Sequence, residues 1–318
     1  ISVIDEKKCI RCGKCIHSCP FGAIGSKAYI VDVIRALTEG KEIYAIVAPA
    51  TEGQFGEGIT MQSFREAAKK LGFAGLIEAG LGGDMTTASE AEEWLEAYRN
   101  GEKKTTSCCP GFVNMIRKHY PELADNISTT VSPMCAISRY VKSQHPGALT
   151  VFIGPCVAKK SEVVDQQIEG NADYVLTYSE LRAILRAKNV ELEPKANTYQ
   201  EASVYGKRYG NAGGVTASVL EYMKETDQEC DAKVCTVNGA ADCKKALLLM
   251  KVGKLPEDFI EGMACEGGCV GGPSRFEEIA SAKKKRDALL SQADDRKIVD
   301  NLKNYPMDAF SMHRDHEA

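Results

Sequence analysis

The sequence shows no excess of basic residues, no long apolar run, no visible secretory signal and no methionine at its first position. Each absence closes off something. A formal charge of −4 over 318 residues argues against nucleic acid as a main partner, because phosphate binding needs a basic face. The one basic run, Lys283-Lys284-Lys285-Arg286, falls in a helical pattern and reads as a solvated helix face. No apolar stretch approaches the roughly 18–20 residues that cross a bilayer. The longest, 43–50 and 149–158, have the length of strands and contain Pro or Gly. No membrane span is expected, and without a signal segment the chain reads as cytoplasmic. Its opening at Ile1 reads as the removal or omission of something upstream. There is no internal repeat and no low-complexity linker. The length allows roughly two domains. A composition of 44% hydrophobic and 26% charged residues is that of an ordinary globular protein, whose core needs no disulfide staples.

What stands out is cysteine. Thirteen are present, an odd number, in a chain large enough to fold without bridges. In that setting cysteine points to metal rather than to disulfides. Cys9, Cys12, Cys15 and Cys19, followed by Pro20, have the C-x2-C-x2-C-x3-C-P spacing of a bacterial ferredoxin 4Fe–4S site. Gly13 eases the tight turn between them. A zinc knuckle would show two separated pairs instead. Two arrangements stay open: all four thiolates serve one cube, or Cys19 serves a cluster whose other ligands lie upstream. His17, inside the run, reads as a surface residue.

Beyond residue 25 helical and strand patterns alternate. Helices are expected over 28–37, 61–71, 88–99, 179–187, 216–225, 240–250 and 279–290. Strands are expected over 43–47, 75–78, 104–107, 149–153, 174–177 and 233–237. This order implies an α/β fold with largely parallel sheets flanked by helices. The division expected is a ferredoxin-like 4Fe–4S segment over 1–25, part of a larger domain, and a second domain over 26–318. The latter would have lobes at about 26–146 and 147–275, then a C-terminal helix and tail over 276–318. The tail from Met307 is expected to fray.

Three further cysteine segments each follow a strand or strand end. They hold Cys108-Cys109-Pro110, then Pro155-Cys156 with Lys159 three residues on, and Met263 to Pro273 with Cys265 and Cys269. Loops at the carboxyl ends of parallel strands can converge on one ligand. Their glycines allow the close backbone approach that an inorganic cluster demands. One thiolate from each of the first two segments and two from the third would complete a cube. Cys135, Cys230, Cys235 and Cys243 lack such loops and read as structural.

These three segments resemble the signature loops of iron-only (FeFe) hydrogenases, and the likeness runs from the ferredoxin motif to about Pro273. The resemblance implies a two-lobed catalytic domain that interconverts dihydrogen with protons and electrons. It implies an H-cluster, a 4Fe–4S cube on Cys109, Cys156, Cys265 and Cys269, with Cys269 bridging to a di-iron subsite bearing carbonyl, cyanide and dithiolate ligands. At least one further 4Fe–4S cluster would sit on the N-terminal cysteines. By the same likeness Ala48, Pro49 and Ala50 form the loop beside one cyanide, and Lys159 contacts the other. Pro155 and Met263 line the pocket, and the turn Tyr209 to Gly214 resembles a Phe-Gly-x-x-Gly-Gly motif. The proton relay implied runs through Cys108, Glu90, Ser132 and Glu93 from pocket to surface. Glu90 and Glu93, three apart on a helix, share a face.

Some positions depart from the family pattern, as in a divergent subgroup. Gly154 replaces a methionine before Pro155-Cys156, Phe112 replaces a tryptophan, and Cys135 stands where amide side chains are common. The resemblance implies a ferredoxin-like electron partner and dedicated H-cluster maturation proteins. Two other functions share the fold: a slow hydrogen sensor, and a non-enzymatic iron–sulfur assembly protein that would lack Lys159 and the relay glutamates.

Overall fold

The structure is a computed structural model and describes residues 3–314. Among the described residues seven strands form two sheets. β1 (Ile43–Val47), β2 (Gly75–Glu78), β4 (Leu149–Gly154) and β5 (Tyr174–Thr177) make one in the order β2-β1-β4-β5. β3 (Lys104–Thr105), β6 (Val234–Asn238) and β7 (Phe259–Met263) make the other in the order β3-β7-β6. Every pairing between these strands is parallel. The expected α/β class with parallel sheets is the one observed.

Parallel sheets need cover on both faces, and the four-stranded sheet has it. Val33, Phe64, Leu71 and Leu181 pack on one side. Leu81, Met134, Ile137 and Phe152 belong to a second cluster. In register, Val47 lies between Glu78 and Ile153, so β1 and β4 end side by side. The loops that follow them, one at Pro49 and one at Pro155, therefore leave from neighbouring positions. β3 and β7 are likewise adjacent, and they deliver the Cys108–Cys109 and Cys265–Cys269 loops.

Among the described residues, several short helices such as Val204–Arg208 and Ile298–Leu302 escaped the periodicity, and so did two longer ones that both begin at functional positions. Pro110–His119 starts at the residue after Cys109, and Pro133–Gln144 starts at the residue after Ser132. Proline suits a first helical turn, where its missing N–H costs nothing. Strand β7 was also not anticipated. The long helix runs Ala79–Asn100, nine residues earlier than the periodicity suggested. Gly80, Gly82 and Gly83 hid its first half, because glycine opposes a helix interior. Packing explains them. A Cβ on Gly82 would stand 2.2 Å from the carbonyl oxygen of Pro133 on a neighbouring helix.

Two further expectations fail. The tail does not fray as far as Arg314: Val131 N donates to Met312 O at 2.8 Å and Arg314 N to Thr129 O at 2.7 Å. Arg139 also donates to the carbonyls of Ser311 and His313. The last four residues lie outside the described ones. Nor is the basic run wholly solvated, since Arg286 on the helix Ile279–Leu290 is only 1% exposed. Cys135 and Cys243 are buried as expected of structural cysteines, whereas Cys230 and Cys235 are half-buried. No helix among the described residues is long and apolar enough to cross a membrane.

Candidate active site

The loops converge on a cavity of about 80 Å³ between the two sheets. One water needs roughly 10–15 Å³, so the space suits a group of several heavy atoms. Ala48, Pro49, Ala50, Pro155, Tyr209 and Met263 all line it, together with Cys108, Cys109, Cys156, Lys159 and Cys269. Cys265 lies at the edge of an adjoining cleft with Cys12. Backbone contacts bind these loops to one another. Ala264 N donates to Cys109 Sγ at 3.4 Å, and Cys269 N donates to Gly210 O at 2.8 Å. Gly268, at φ +81°, is needed where it stands: a Cβ there would meet Ala212 N at 2.7 Å.

The donor set has a conflict that metal would resolve. Burial pushes the Cys156 thiol up to about 12, with Cys109 and Cys269 adding to the rise and Lys159 opposing it. Burial and then Cys109 push Cys269 up to about 11, against Lys159 and Arg286. Cys265 rises further, through burial and then Cys156, Cys109 and Cys269. Four bare thiolates would repel one another in this dry setting, and bound iron cations would remove that repulsion. Among the described residues no three His, Cys, Asp or Glu donors stand close enough to hold a single ion.

Lys159 is buried at the cavity wall. Its Nζ donates to Glu162 at 2.6 Å, Ser132 Oγ at 2.8 Å and Cys108 O at 3.3 Å. Burial alone would lower its pKa, but the Glu162 carboxylate more than offsets this and the ammonium stays charged. Phe152 takes up the space beside Gly154. A Cβ on that glycine would lie 2.7 Å from the Phe152 ring, which occupies the volume a larger residue 154 would need.

Of the four expected relay residues, Glu90 and Glu93 are joined by hydrogen bonds and the Cys108 thiol feels the Glu90 charge, whereas Ser132 stands outside the series. Ser132 donates to Glu162 and accepts from Lys159, and it bonds to neither relay glutamate. The serine between the glutamates is Ser128, 3.0 Å from Glu90 Oε2 and 2.7 Å from Glu93 Oε2. Ser132 is held away because it ends the segment before the helix Pro133–Gln144, and there it serves Lys159. Nothing in the local sequence around Ser128 marked it. Trp94 Nε1 donates to Glu90 Oε1 at 3.1 Å. Burial, and then the charge of Glu93, push Glu90 up to about 8. Glu93 is 12% exposed and lies 3.6 Å from Lys104, so the series ends near the surface. Cys108 is held far above its ordinary pKa, mainly by burial and then by Glu90.

The N-terminal cysteine segment sits on the same framework. Cys9, Cys12 and Cys19 are half-buried, and Cys15 is exposed. Backbone N–H groups of Ala23 and Phe21 face Cys19 and hold its thiol below the ordinary value. Lys118 donates to the carbonyls of Glu6 and Cys9, both at 2.8 Å, and Asn114 donates to Ile10 O. The helix Pro110–His119 thus begins at Cys109 and ends against this segment. His17 is exposed, with Nδ1 3.1 Å from Pro273 O, and has a local structural partner.

Comparison with known proteins bears on this arrangement. Residues 41–273 match the family described as iron only hydrogenase large subunit, C-terminal domain, and residues 2–25 match a 4Fe-4S binding domain. Iron hydrogenase 1 of Clostridium pasteurianum is 28% identical, over 91% of this chain and 68% of that protein. The cytosolic Fe-S cluster assembly factor narfl of Danio rerio is 24% identical, over 81% of this chain and 77% of that one. Among solved structures, FeFe-hydrogenase HydA1 from Chlamydomonas reinhardtii superimposes with a TM-score of 0.66 at 19% identity, covering 86% of this chain and 92% of that chain. That likeness bears on the fold.

Proposed function

This chain belongs to the iron-only hydrogenase large-subunit family, and we propose that it interconverts dihydrogen with protons and electrons. The observation that carries the reading is the pairing of two features in one place. A dry cavity ringed by cysteine loops and Lys159 stands beside a buried, hydrogen-bonded series of acid groups, Glu90–Ser128–Glu93, that reaches the surface near Lys104. A protein that only carried or assembled clusters would have no use for the second feature.

Cys109, Cys156, Cys265 and Cys269 would hold the cube, and Cys269 would tether the di-iron subsite in the cavity. When bound, the H-cluster supplies the site at which dihydrogen is made or split and the store for the electrons involved. The rest falls to the chain. Lys159 sets a fixed positive charge at the wall and keeps it there through Ser132 and Glu162. Cys108 carries a proton between the cavity and Glu90. Ser128 has one hydroxyl proton and two carboxyl neighbours, so it can donate to only one of them at a time. The other must carry a proton and donate to it, and the raised pKa of Glu90 fits that role. Reversing both bonds passes one proton along the series without leaving a charge on Ser128.

Electrons would pass between the cube and the N-terminal cluster on Cys9, Cys12, Cys15 and Cys19 across the cleft shared by Cys12 and Cys265. A ferredoxin-like partner would receive them, and maturation proteins would install the di-iron unit. On this reading residues 1–25 form an electron-transfer segment and 26–318 the catalytic domain, working in the cytoplasm.

Similarity to a cluster assembly factor keeps a second reading in view, that of a protein carrying clusters without catalysis. Infrared spectroscopy of the anaerobically matured protein decides between them. Carbonyl and cyanide bands that shift when hydrogen replaces inert gas are the expected result. Loaded iron–sulfur clusters with no such bands after maturation would leave the assembly reading in possession.

A further inference from the structure

We propose that Arg286 is the counter-charge of the cube on its Cys269 side, a positioning residue that raises the cluster's reduction potential; this rests on the four-cysteine cube of the reading above. Arg286 lies on the helix Ile279–Leu290, beyond the residues 41–273 that match the hydrogenase family.

Packing brings that helix to the site. Ala282, one turn before Arg286, is buried in a small cluster with Ala50 and Val270, against which Cys269 packs. Gly53, at φ +83°, allows the approach: a Cβ there would stand 2.9 Å from Ala282 O and 3.3 Å from Arg286 N. Gln54 continues the seam, its side-chain oxygen accepting from Phe276 N at 2.9 Å. The helix therefore backs directly onto the loops that carry Ala50 and Cys269.

The guanidinium is buried without a paired anion. Arg286 is 1% exposed and donates to the carbonyls of Pro49 and Lys207 and to the side-chain oxygen of Asn211. All three acceptors are neutral, and among the described residues no carboxylate accepts from it. A buried cation in that state is costly unless an opposite charge stands near. Glu52 acts on it through space, yet Lys207 competes for that carboxyl, and burial raises its pKa and weakens it as a counter-charge. Cys269 is the next anionic group that Arg286 faces.

The same fork holds the turn beside that cysteine. Asn211 forms a bridge with Gly268, and Cys269 N donates to Gly210 O at 2.8 Å. Lys159 favours the charged forms of both Cys156 and Cys269, and Arg286 that of Cys269, so two buried cations border one set of thiolates. An added electron makes a buried cluster more negative, and a fixed cation in a low dielectric stabilises the reduced form more than the oxidised one. Arginine suits the task because its guanidinium stays charged and its fork is held by three oxygens.

The test uses the full chain loaded with iron–sulfur clusters but no di-iron unit, titrated electrochemically with each cluster followed by electron paramagnetic resonance. Arg286→Gln keeps amide donors and removes the charge. Its cube is expected to become harder to reduce, the reduced-to-oxidised ratio at a fixed potential falling at least tenfold, which is about 59 mV for one electron. The N-terminal cluster serves as internal reference and should not move. Arg286→Lys keeps the charge and should hold the cube near the parent's potential at about pH 7. A buried lysine can lose its proton where arginine cannot, so in that variant the cube potential should fall further than the parent's as pH rises toward about 10. An unchanged cube in Arg286→Gln overturns the proposal, and so does a fall shared equally by the N-terminal cluster. An equal fall in Arg286→Lys at about pH 7 also overturns it, because the shape of the fork and not its charge would then set the potential. If Arg286→Gln does not keep its cube, the lysine variant decides, and a pH response identical to the parent's overturns the proposal. A parent chain that loads only the N-terminal cluster removes the cube reading itself, and this role with it.

Discussion

Arg286 Nε donates to the carbonyl of Pro49 at 3.0 Å, tying the C-terminal helix to the loop that walls the cavity. The same guanidinium donates to the Asn211 side chain and to Lys207 O, so one buried fork joins three segments around the site. Its Coulombic neighbours include Glu52 and Cys269.

Replacing Arg286 by methionine is expected to cost about 3–5 kcal/mol, the range for breaking a buried, hydrogen-bonded charge. Two carbonyls and an amide would lose their donor, and Glu52 would lose a compensating cation. Arg286→Lys should recover only part of this, because an ammonium cannot reproduce the planar fork. Denaturant melts of the two variants check it. Equal stability of the methionine variant and the parent would show that the fork contributes little.

The two serines separate cleanly. Ser128→Ala interrupts the bond series between Glu90 and Glu93 and should slow proton-coupled turnover by roughly 10²–10⁴, the usual worth of a positioned acid or base. Ser132→Ala leaves that series intact and disturbs Lys159 and Glu162 instead. It should move the cyanide bands of the matured protein more than it slows exchange. The opposite pattern would return the relay to Ser132.

Glu90 carries a pH signature. Burial and Glu93 raise it from 4.5 to about 8, so the folded protein holds this proton more tightly than the unfolded chain does. The associated stability is full below about pH 4.5 and is lost as pH rises through about 8. Glu90→Gln removes that dependence while keeping an acceptor for Trp94 and a donor for Ser128. Its melting temperature relative to the parent should therefore climb between pH 5 and 8, by an amount worth a few kcal/mol. A difference that stays flat across this window would place the Glu90 pKa near its ordinary value.

Gly154 and Phe152 should behave as a coupled pair. Gly154→Met drives a side chain into the Phe152 ring and the Ala48 methyl, an overpacking worth about 1–3 kcal/mol. Combining it with Phe152→Ala should recover much of that loss, so the two changes together cost less than their sum. Strict additivity in chemical denaturation would mean that the two side chains do not compete for the same space.

Much of this molecule was legible from residue order. The helix Met61–Leu71, the strands Ile43–Val47 and Tyr174–Thr177, and the helix Ile279–Leu290 begin and end where the sequence pattern placed them. The cysteine loops were legible for a different reason: fixed spacing within a tight turn is a local property. By contrast, the first half of the long helix was hidden by glycines whose purpose is contact with Pro133, Ala202 and Gly206. The tail looked frayed because it is short and polar, yet strand-like bonds to Thr129 and Val131 hold it.

The sequence by itself determined the alternation of strands and helices, the cysteine spacing, and the placing of Glu90 and Glu93 on one helical face. These depend on neighbours within a few residues. Only the tertiary structure decided which serine lies between those glutamates and that Arg286 is buried rather than solvated. Each of these is a meeting of segments far apart in the chain, and burial, not order, sets which polar groups must then satisfy one another.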